Sequence, residues 1–448
     1  MAQTKQENKM GVMPVGRLLL TMSLPVMLSM IVSALYNIVD SIFIARYSDA
    51  ALTAVSLCFP AQLLMIALAT GIGVGLNVLL SQALGAKDHA AADRIAGNGV
   101  FLSLLCWAVF AVLGWFGSTP FLAFFTADAD ILSMGTDYLR ICTTFSCGVF
   151  LLFTAERLMQ ATGKTVYHMV IQCIGALINV VLDPILIFGL LGMPVLGVAG
   201  AAIATVIGQC TAMVIGFWLN YKLNADIHLS WRALRPDPVA LRDICRVGLP
   251  AAAVQALSTA MTAGMNAILL PLSVSAVGFF GIYYRLQNFL FMPLYGLTNT
   301  MVPIIGYNLG AHKPDRIRQT GRSGIYFALC IMGAGLVLFW LFPSGLLSLF
   351  GEEGLRFSGG VTALRILALS FLPAAVTLAL CGLLQGLGRS TAALIASALR
   401  QLVFLLPAAW LLGRLGFPAL WFAFPLAEVL SLPAAWLLCR RSLRQIDL

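Results

Sequence analysis

The sequence predicts an all-α integral membrane protein with twelve transmembrane helices, arranged as two six-helix lobes related by a parallel pseudo-two-fold repeat. The first observation is composition: 60% of the 448 residues are hydrophobic and 10% are charged, whereas soluble domains carry about 25% charged residues. The second is an internal repeat, because the chain matches itself at a shift of 225 residues, as from Pro25 to Pro250. The third is the one-sided distribution of basic residues.

The apolar runs have the length that membrane-spanning helices need. Each is about 20 residues long, enough to cross the hydrocarbon core of a bilayer. A β-barrel would need alternating apolar and polar residues, and runs such as Leu19–Leu35 do not alternate. We therefore expect helices near 17–45, 51–82, 95–117, 132–157, 165–191, 198–221, 245–270, 274–306, 320–342, 360–385, 391–413 and 418–439.

The net charge of +9 reflects membrane topology. With the N-terminus in the cytoplasm, 20 of the 27 Lys and Arg residues lie on that side, as the positive-inside rule requires. The inside set includes Lys5, Lys87, Arg157, Lys164 and Arg232, and the outside set is Arg46, Arg140, Arg356, Arg365 and Arg414. This pattern predicts a multi-pass membrane protein with both termini in the cytoplasm, and it argues against nucleic acid as a partner.

The repeat also predicts the domain organisation. Leu84–Ala86 recurs as Leu309–Ala311, and Gln160 recurs as Gln385. Six spans per half is an even number, so both halves enter the membrane from the same side and the repeat axis follows the membrane normal. We expect an N-lobe at 1–221, a cytoplasmic linker at 222–243 and a C-lobe at 244–448.

Two acidic residues inside predicted spans form the strongest candidate site. Asp40 lies in the first span, three residues after Asn37, and Asp183 lies in the fifth, four residues after Asn179. Each pair shares one helical face. A carboxylate facing lipid costs several kcal/mol, so an intramembrane acid is a functional hypothesis by default. The set suits a proton carrier, since nearby carboxylates favour retention of a proton, or a sodium ion held by oxygen ligands.

The repeat sharpens this hypothesis. The repeat partners of Asp40 and Asp183 are Met265 and Ala408, which are apolar or small. A purely architectural pair of acids, each bonded within a helix junction, would be expected in both halves. The coupling site is therefore predicted in the N-lobe alone.

Pro25 breaks the first predicted helix near its cytoplasmic third. Such kinks are common in transmembrane helices. Two interpretations follow: a structural kink, or a hinge that converts ion binding at Asp40 into a helix bend. Pro184 also leaves the carbonyl of Val180 without its helical partner.

The other charges near or within spans have two interpretations. Glu428, Arg285 and Arg400 either neutralise one another or reach a water-filled cavity; alternatively, Arg285 lines a transport cavity. Glu156 beside Arg157 is expected to be a solvated pair at a cytoplasmic helix end. Most Met and aromatic residues of spans seven and eight are expected to pack or face lipid, and some to line a pocket for bulky apolar cations. The candidate cavity residues are Tyr36, Gln255, Met261, Met265, Tyr283, Arg285 and Asn288.

Other motifs exclude several chemistries. The run Gly71–Gly75 lies within an apolar span and lacks the Lys-Ser/Thr of a phosphate loop. Its glycines instead form a small-xxx-small spacing for close helix packing. Without an ATP site, pumping must draw on an ion gradient. The ten cysteines are scattered, and the four histidines lack ligand spacing, so we predict packing cysteines, no metal site and no cofactor.

Several motifs together resemble the multidrug and toxic compound extrusion (MATE) transporters. They are Leu24-Pro25, Val39–Ala45, Leu84–Lys87, Tyr138–Arg140, Gln160–Gly163 and Asn179–Pro184. The resemblance covers essentially the whole chain and implies two six-helix lobes in a V shape. It also implies export of organic cations and drugs in exchange for H⁺ or Na⁺. By this resemblance, Asp40, Asn179, Asp183 and Thr205 correspond to the cation site of the N-lobe.

The sequence departs from one branch of that family. The NorM branch carries acids in its seventh and tenth helices, whereas 251–270 and 360–385 contain none here. Gln255 and Ser258 are the nearest polar residues. The chain is more similar to the DinF/MepA-like branch, which places coupling in the N-lobe.

The leading functional hypothesis is a secondary active multidrug antiporter that works by alternating access, as a monomer in the lipid bilayer, and is not an enzyme. One alternative is a lipid-linked saccharide flippase, but its cavity must be strongly cationic, and only Arg285 and Arg400 lie within spans. An integral-membrane enzyme would need convergent His, Asp or metal ligands at one membrane face. A receptor or scaffold would show no ion-driven transport after reconstitution.

Overall fold

The protein is described here by a computed structural model that covers residues 8–230, 233–351, 357 and 359–445. Lys5, Arg232 and Arg356, which contribute to the charge argument, lie outside the described residues. Within them, ten helices are long and apolar enough to cross a membrane, and two bent helix pairs bring the number to twelve. The predicted number of spans and the all-α fold class are confirmed.

The helices match the predicted spans closely. In chain order they are α1 Lys9–Val12, α2 Val15–Tyr47, α3 Asp49–Gly85, α4 His89–Ala123, α5 Ala129–Thr144, α6 Cys147–Ala161, α7 Thr165–Phe188, α8 Gly197–Leu223, α9 Pro238–Leu269, α10 Val274–Gly310, α11 Pro314–Leu341, α12 Pro343–Ser348, α13 Gly360–Ala368, α14 Phe371–Gly386, α15 Ser390–Ala398, α16 Leu405–Gly413, α17 Phe417–Trp421 and α18 Ala423–Arg444. A π-helical turn at Leu399–Phe404 joins α15 to α16.

The fourth and tenth spans are bent at equivalent places. The angle is 43° between α5 and α6 and 41° between α13 and α14. The breaks include Phe145 and Ser370, which are repeat partners, and neither break contains a proline. Beside them, the hydroxyls of Thr143 and Ser370 donate to backbone carbonyls of their own helices at 2.6 Å. Such bonds compete with the helical ladder and bend helices.

The chain forms two compact units. The N unit is Leu28–Ala252, and the C unit is Met1–Met27 with Ala253–Leu448. The chain therefore passes between units inside α2 and α9, two residues after Pro25 and Pro250. The predicted lobe boundaries follow the sequence repeat, whereas these units follow spatial contacts.

Glycines bring α3 and α9 together within the N unit. A Cβ added at Gly75 would lie 2.4 Å from the backbone oxygen of Ile244, and one at Gly71 would lie 2.7 Å from that of Gly248. Both distances are too short for any side chain. The small-xxx-small interpretation of this motif is confirmed, and α9 is the helix that it admits.

We expect Gly75→Leu to lower the free energy of unfolding by about 1–3 kcal/mol, because the added atoms must push two backbones apart. Thermal unfolding in detergent measures the effect. Gly117→Leu is the matched control, since no atom lies within 4 Å of a Cβ added at Gly117. Equal melting temperatures for the two variants would contradict the close packing of α3 and α9.

Part of the predicted linker is bound to the N unit. Residues 233–237 correspond in the repeat to the segment that contains α1. In the N unit, Arg94 pairs with Asp237 at 3.3 Å. In the C unit, Arg316 donates to the carbonyl of Met10 at 3.0 Å. In each unit, an arginine near the start of α4 or α11 thus binds one of two equivalent segments of the repeat. Arg94 binds the segment at 233–237, and Arg316 binds the segment that contains α1.

Aromatic side chains form much of the C-unit core. Phe279 lies 5.1 Å from Phe357 and 5.2 Å from Trp421 between ring centroids. Tyr283 and Met265 are fully buried. Met265, Phe279 and Tyr283 therefore have the packing role that was expected for most Met and aromatic residues of the seventh and eighth spans.

Candidate functional site

Four of the five predicted ion-coupling residues lie together in the N unit. Asp183 of α7 is fully buried. One turn earlier, Asn179 donates to Asp183 Oδ2 at 3.3 Å and accepts from the Thr205 hydroxyl of α8 at 3.2 Å. The carboxyl group of Asp40, on α2, lies close enough to that of Asp183 for the two groups to interact. Three separate helices thus supply one polar cluster.

The fold brings these helices together through small residues. A Cβ added at Gly208 of α8 would lie 2.8 Å from the backbone oxygen of Gly175 and 3.4 Å from the Asn179 Cβ. Glycine at Gly208 therefore allows α8 to approach α7 beside the cluster. Pro184 follows Asp183 inside α7, and the carbonyl of Val180 consequently has no N–H partner in its own helix.

The geometry of the cluster suits a proton or a small cation. Two negative carboxylates this close repel strongly away from bulk water, so a bound proton or cation is needed between them. Asp40 Oδ1 is buried and accepts no hydrogen bond from the described residues. For sodium, the carboxyl oxygens, the Thr205 hydroxyl and the Asn179 amide oxygen are hard ligands of the right kind.

A cavity of about 280 Å³ adjoins this cluster. Its lining combines neutral polar groups with apolar and aromatic ones: Ser33, Tyr36, Asn37, Ile66, Val149, Leu152, Phe153, Gln172, Gly175, Ala176, Asn179, Thr205 and Gln209. Asn37 lines the cavity and donates to the carbonyl of Ser33 at 2.7 Å. Gln172 and Gln209 are additional polar residues that the sequence analysis missed. Both could have been found in the sequence, because each is a polar amide residue within an apolar span.

The predicted substrate-cavity residues are distributed differently from expectation. Tyr36 lines the N-unit cavity, whereas the other six lie in the C unit. There Met261, Met265 and Tyr283 are buried in the core. Gln255 and Arg285 are exposed and Asn288 is half-buried. A substrate role for these six stays a prediction.

Pro25 lies inside a continuous helix. α2 runs from Val15 to Tyr47 through this proline. Pro25 belongs to the C unit and Asp40 to the N unit, so α2 connects the proline to the carboxyl cluster. Its role as a hinge stays a prediction.

Two of the three buried charges predicted in the second half neutralise each other. Arg400 Nη1 lies 2.8 Å from Glu428 Oε1, with side-chain exposures of 12% and 13%. Arg400 lies in the π-helical turn. Arg285 is exposed and is not part of this pair. The pairing interpretation is therefore confirmed for Arg400 and Glu428.

The prediction of a solvated pair at Glu156 and Arg157 is wrong. Their exposures are 4% and 6%, because both residues lie in the last turns of α6, where α3 and α7 cover them. Glu156 Oε2 is 3.6 Å from His168 Nδ1, and Arg157 donates to Gln160 Oε1 at 2.6 Å. A residue near a loop in the sequence is still buried when the neighbouring helices extend alongside it, as α3 and α7 do beside Glu156 and Arg157.

Comparison with known proteins gives the same division into halves. The family model described as MatE matches residues 25–185 and 250–411. A relative named "FAD transporter" from Shewanella oneidensis is 26% identical over 418 residues, covering 93% of this chain and 92% of that protein. "Multidrug export protein MepA" from Staphylococcus aureus is 26% identical over 410 residues, covering 90% and 88%.

Solved structures share the fold. An outward-facing multidrug resistance MATE family transporter of the MOP superfamily aligns with a TM-score of 0.92 at 23% identity, covering 99% of both chains. The Vibrio cholerae MATE transporter VcmN aligns with a TM-score of 0.89 at 23% identity, covering 96% and 97%. The predicted resemblance, fold class and assignment as a non-enzyme are confirmed. The chain belongs to the MatE family of membrane transporters.

Proposed function

We propose that this transporter exports organic cations or amphipathic drugs in exchange for H⁺ or Na⁺ by alternating access. The observation that carries the proposal is the proximity of the buried carboxyl groups of Asp40 and Asp183 beside a polar cavity. The name of the MepA relatives, multidrug export proteins, supports the substrate class. A bilayer-buried acidic pair has a direct use in ion coupling and a high cost otherwise.

Coupling requires that the ion and the substrate favour different states of the protein. An external cation bound by Asp40 and Asp183 removes their mutual repulsion and stabilises the state that receives it. Substrate taken up from the cytoplasm must stabilise the other state. The difference in affinity of each ligand for the two states then sets the coupling between them, and the ion gradient supplies the free energy for export.

The chemistry of the cavity favours a cation over an anion. The described lining residues include serine, tyrosine, asparagine and glutamine but neither Lys nor Arg. The adjacent carboxyl groups would attract a positive substrate and repel a phosphate. This disfavours both a flavin dinucleotide, suggested by the name of the Shewanella relative, and the pyrophosphate of a lipid-linked saccharide.

The proximity of the two carboxyl groups favours H⁺ as the coupling ion. One shared proton offsets the repulsion of a carboxyl pair without further ligands. A sodium ion would have to recruit additional oxygens. Sodium therefore remains the second alternative.

We further propose that the protein acts as a monomer in the bacterial plasma membrane with both termini in the cytoplasm. The supporting observation is the excess of basic residues on one side of the predicted topology. Lipid is then its immediate environment, and neither a cofactor nor a nucleic acid is required.

Purified protein in proteoliposomes tests this function. We expect transport of a fluorescent organic cation under an imposed pH gradient alone, with less or no transport under a sodium gradient alone. Protein-free liposomes with the same gradients control for leakage. Transport that requires ATP and ignores both gradients would contradict the proposal.

A further inference from the structure

A second buried polar cluster continues the N-unit cavity toward the turn at 162–164. Leu152 of α6 and Gln172 of α7 line the cavity. Glu156 follows Leu152 by four residues, and His168 precedes Gln172 by four. Residues four apart share a helix face, so each helix places an ionisable side chain one turn beyond the lining.

These two ionisable side chains meet. His168 Nδ1 is 3.6 Å from Glu156 Oε2, and both residues are buried. Glu156 Oε1 and His168 Nδ1 have no hydrogen-bond partner among the described residues. Buried polar atoms are normally paired, and unpaired ones indicate strain, chemistry or an ordered water. An acid and a base in this arrangement have room for a proton or a water between them.

A positive charge and two amides lie beside the pair. Arg157 donates to Gln160 Oε1 at 2.6 Å, and Asn77 of α3 donates to the same oxygen at 3.2 Å. This leaves the Arg157 guanidinium held next to Glu156 without a hydrogen bond to it. The positive charge can therefore stabilise a glutamate without locking its oxygens.

The same pair is electrostatically connected to the carboxyl cluster. Tyr36 of α2, which lines the cavity, feels the charges of both Asp40 and Glu156. The titratable and charged groups that face Glu156 and His168 are thus Arg157 from α6 and Tyr36 from α2, with Asp40 beyond Tyr36. The cavity is lined by Asn179 and Thr205 of the cluster and by Leu152 and Gln172, one helical turn from Glu156 and His168.

The repeat shows that the pair is not part of the common architecture. The repeat partner of Glu156 is Cys381, and that of His168 is Ala393. Both α6 and α7 have close structural equivalents in the other half, so their helix packing does not need an acid or an imidazole here. The pair occurs in the same half as Asp40 and Asp183.

We propose that Glu156 and His168 relay the coupling proton between the Asp40–Asp183 cluster and the 162–164 end of the N unit, which the charge distribution predicts to be cytoplasmic. In the transfer step, the O–H bond at Glu156 Oε2 breaks and an N–H bond forms at Nδ1 of neutral His168. The products are a glutamate, stabilised by Arg157, and an imidazolium, which the same positive charge disfavours, so this ion pair is a short-lived intermediate that must lose its proton onward.

The imidazolium then releases its Nε2 proton to water at the start of α7, and a proton from the cavity restores the Glu156 carboxyl group. Exchange of the remaining His168 proton from Nδ1 to Nε2 through water restores the starting tautomer. The sequence moves one proton and no electron. This inference rests on the proposed function in requiring ion-coupled transport, and it deepens that function by assigning the coupling ion and its route.

Two transport rates in proteoliposomes test the relay. One is drug efflux driven by a pH gradient, followed together with a trapped pH-sensitive dye. The other is counterflow, the exchange of drug for drug, which needs no net proton movement. We expect Glu156→Gln and His168→Asn to slow gradient-driven efflux and proton flux by about tenfold or more. Counterflow should stay at the wild-type rate, and Glu156→Asp, which keeps a carboxyl group, should recover most of the efflux.

The outcomes separate this inference from the proposed function. Wild-type efflux in Glu156→Gln, or an equal loss of efflux and counterflow, would overturn the relay. If Glu156→Gln does not fold, His168→Asn decides by the same two rates. A wild-type protein driven by sodium alone would also overturn the relay while leaving antiport intact. A wild-type protein that responds to neither gradient would instead refute the proposed function.

Discussion

Replacing Asp40 with asparagine should abolish ion-driven transport while leaving the fold intact. Asn has nearly the same shape as Asp and can still lie beside Asp183, but it neither takes up a proton nor attracts a cation. The coupling free energy lost would be about 1–3 kcal/mol, which is about 5–150-fold in the effect of the ion on substrate affinity. Uptake of a fluorescent cation into proteoliposomes under the effective gradient measures this loss.

Asp183→Asn should have a similar effect, and the double variant should be little worse than either single one, because the two carboxyl groups act as one site. Asp137→Asn is the matched control, since Asp137 is an exposed acid of α5 in the same unit. Full gradient-driven transport by Asp40→Asn would refute the assignment of this carboxyl group to coupling.

Replacing Arg400 with alanine should cause the largest loss of stability. Its guanidinium pairs with Glu428 at 2.8 Å in a nearly buried setting. Removing one partner of a buried ion pair leaves the other charge uncompensated, which costs about 3–5 kcal/mol. Thermal unfolding in detergent should therefore show a much lower melting temperature than for the wild type.

The variant Arg400→Met with Glu428→Met should recover most of the stability, because two apolar side chains leave no unpaired charge. Arg285→Ala serves as the control, since Arg285 is exposed, and its effect should stay within about 0.5 kcal/mol. If Arg400→Ala were no more destabilising than Arg285→Ala, the pair would have to be hydrated.

The fold could be predicted from the sequence because bilayer physics leaves little choice. Apolar runs of about 20 residues must be helices when they cross lipid, and a shift of 225 residues relates their landmarks. The bends beside Phe145 and Ser370 could not be predicted, since the hydroxyl–carbonyl bonds found beside them also occur in unbent helices of this chain.

A residue of the candidate site could be predicted from the sequence only where it is charged and lies within a long apolar run. Asp40 and Asp183 meet this condition, and the structure brings them close together. Glu156 and His168 do not, because both lie near a loop in the sequence, where solvation is the default expectation. Their burial depends on how far α3 and α7 extend beside α6, which a single sequence does not specify.

The division of the chain into units also affects how the protein is made. All of the N unit, Leu28–Ala252, is available once the ribosome has passed its last residue, and domains generally fold during synthesis in chain order. The C unit is different, because its two parts are separated in the chain by the whole N unit. The segment that precedes Leu28 must therefore wait for residues that follow Ala252 before its unit can form.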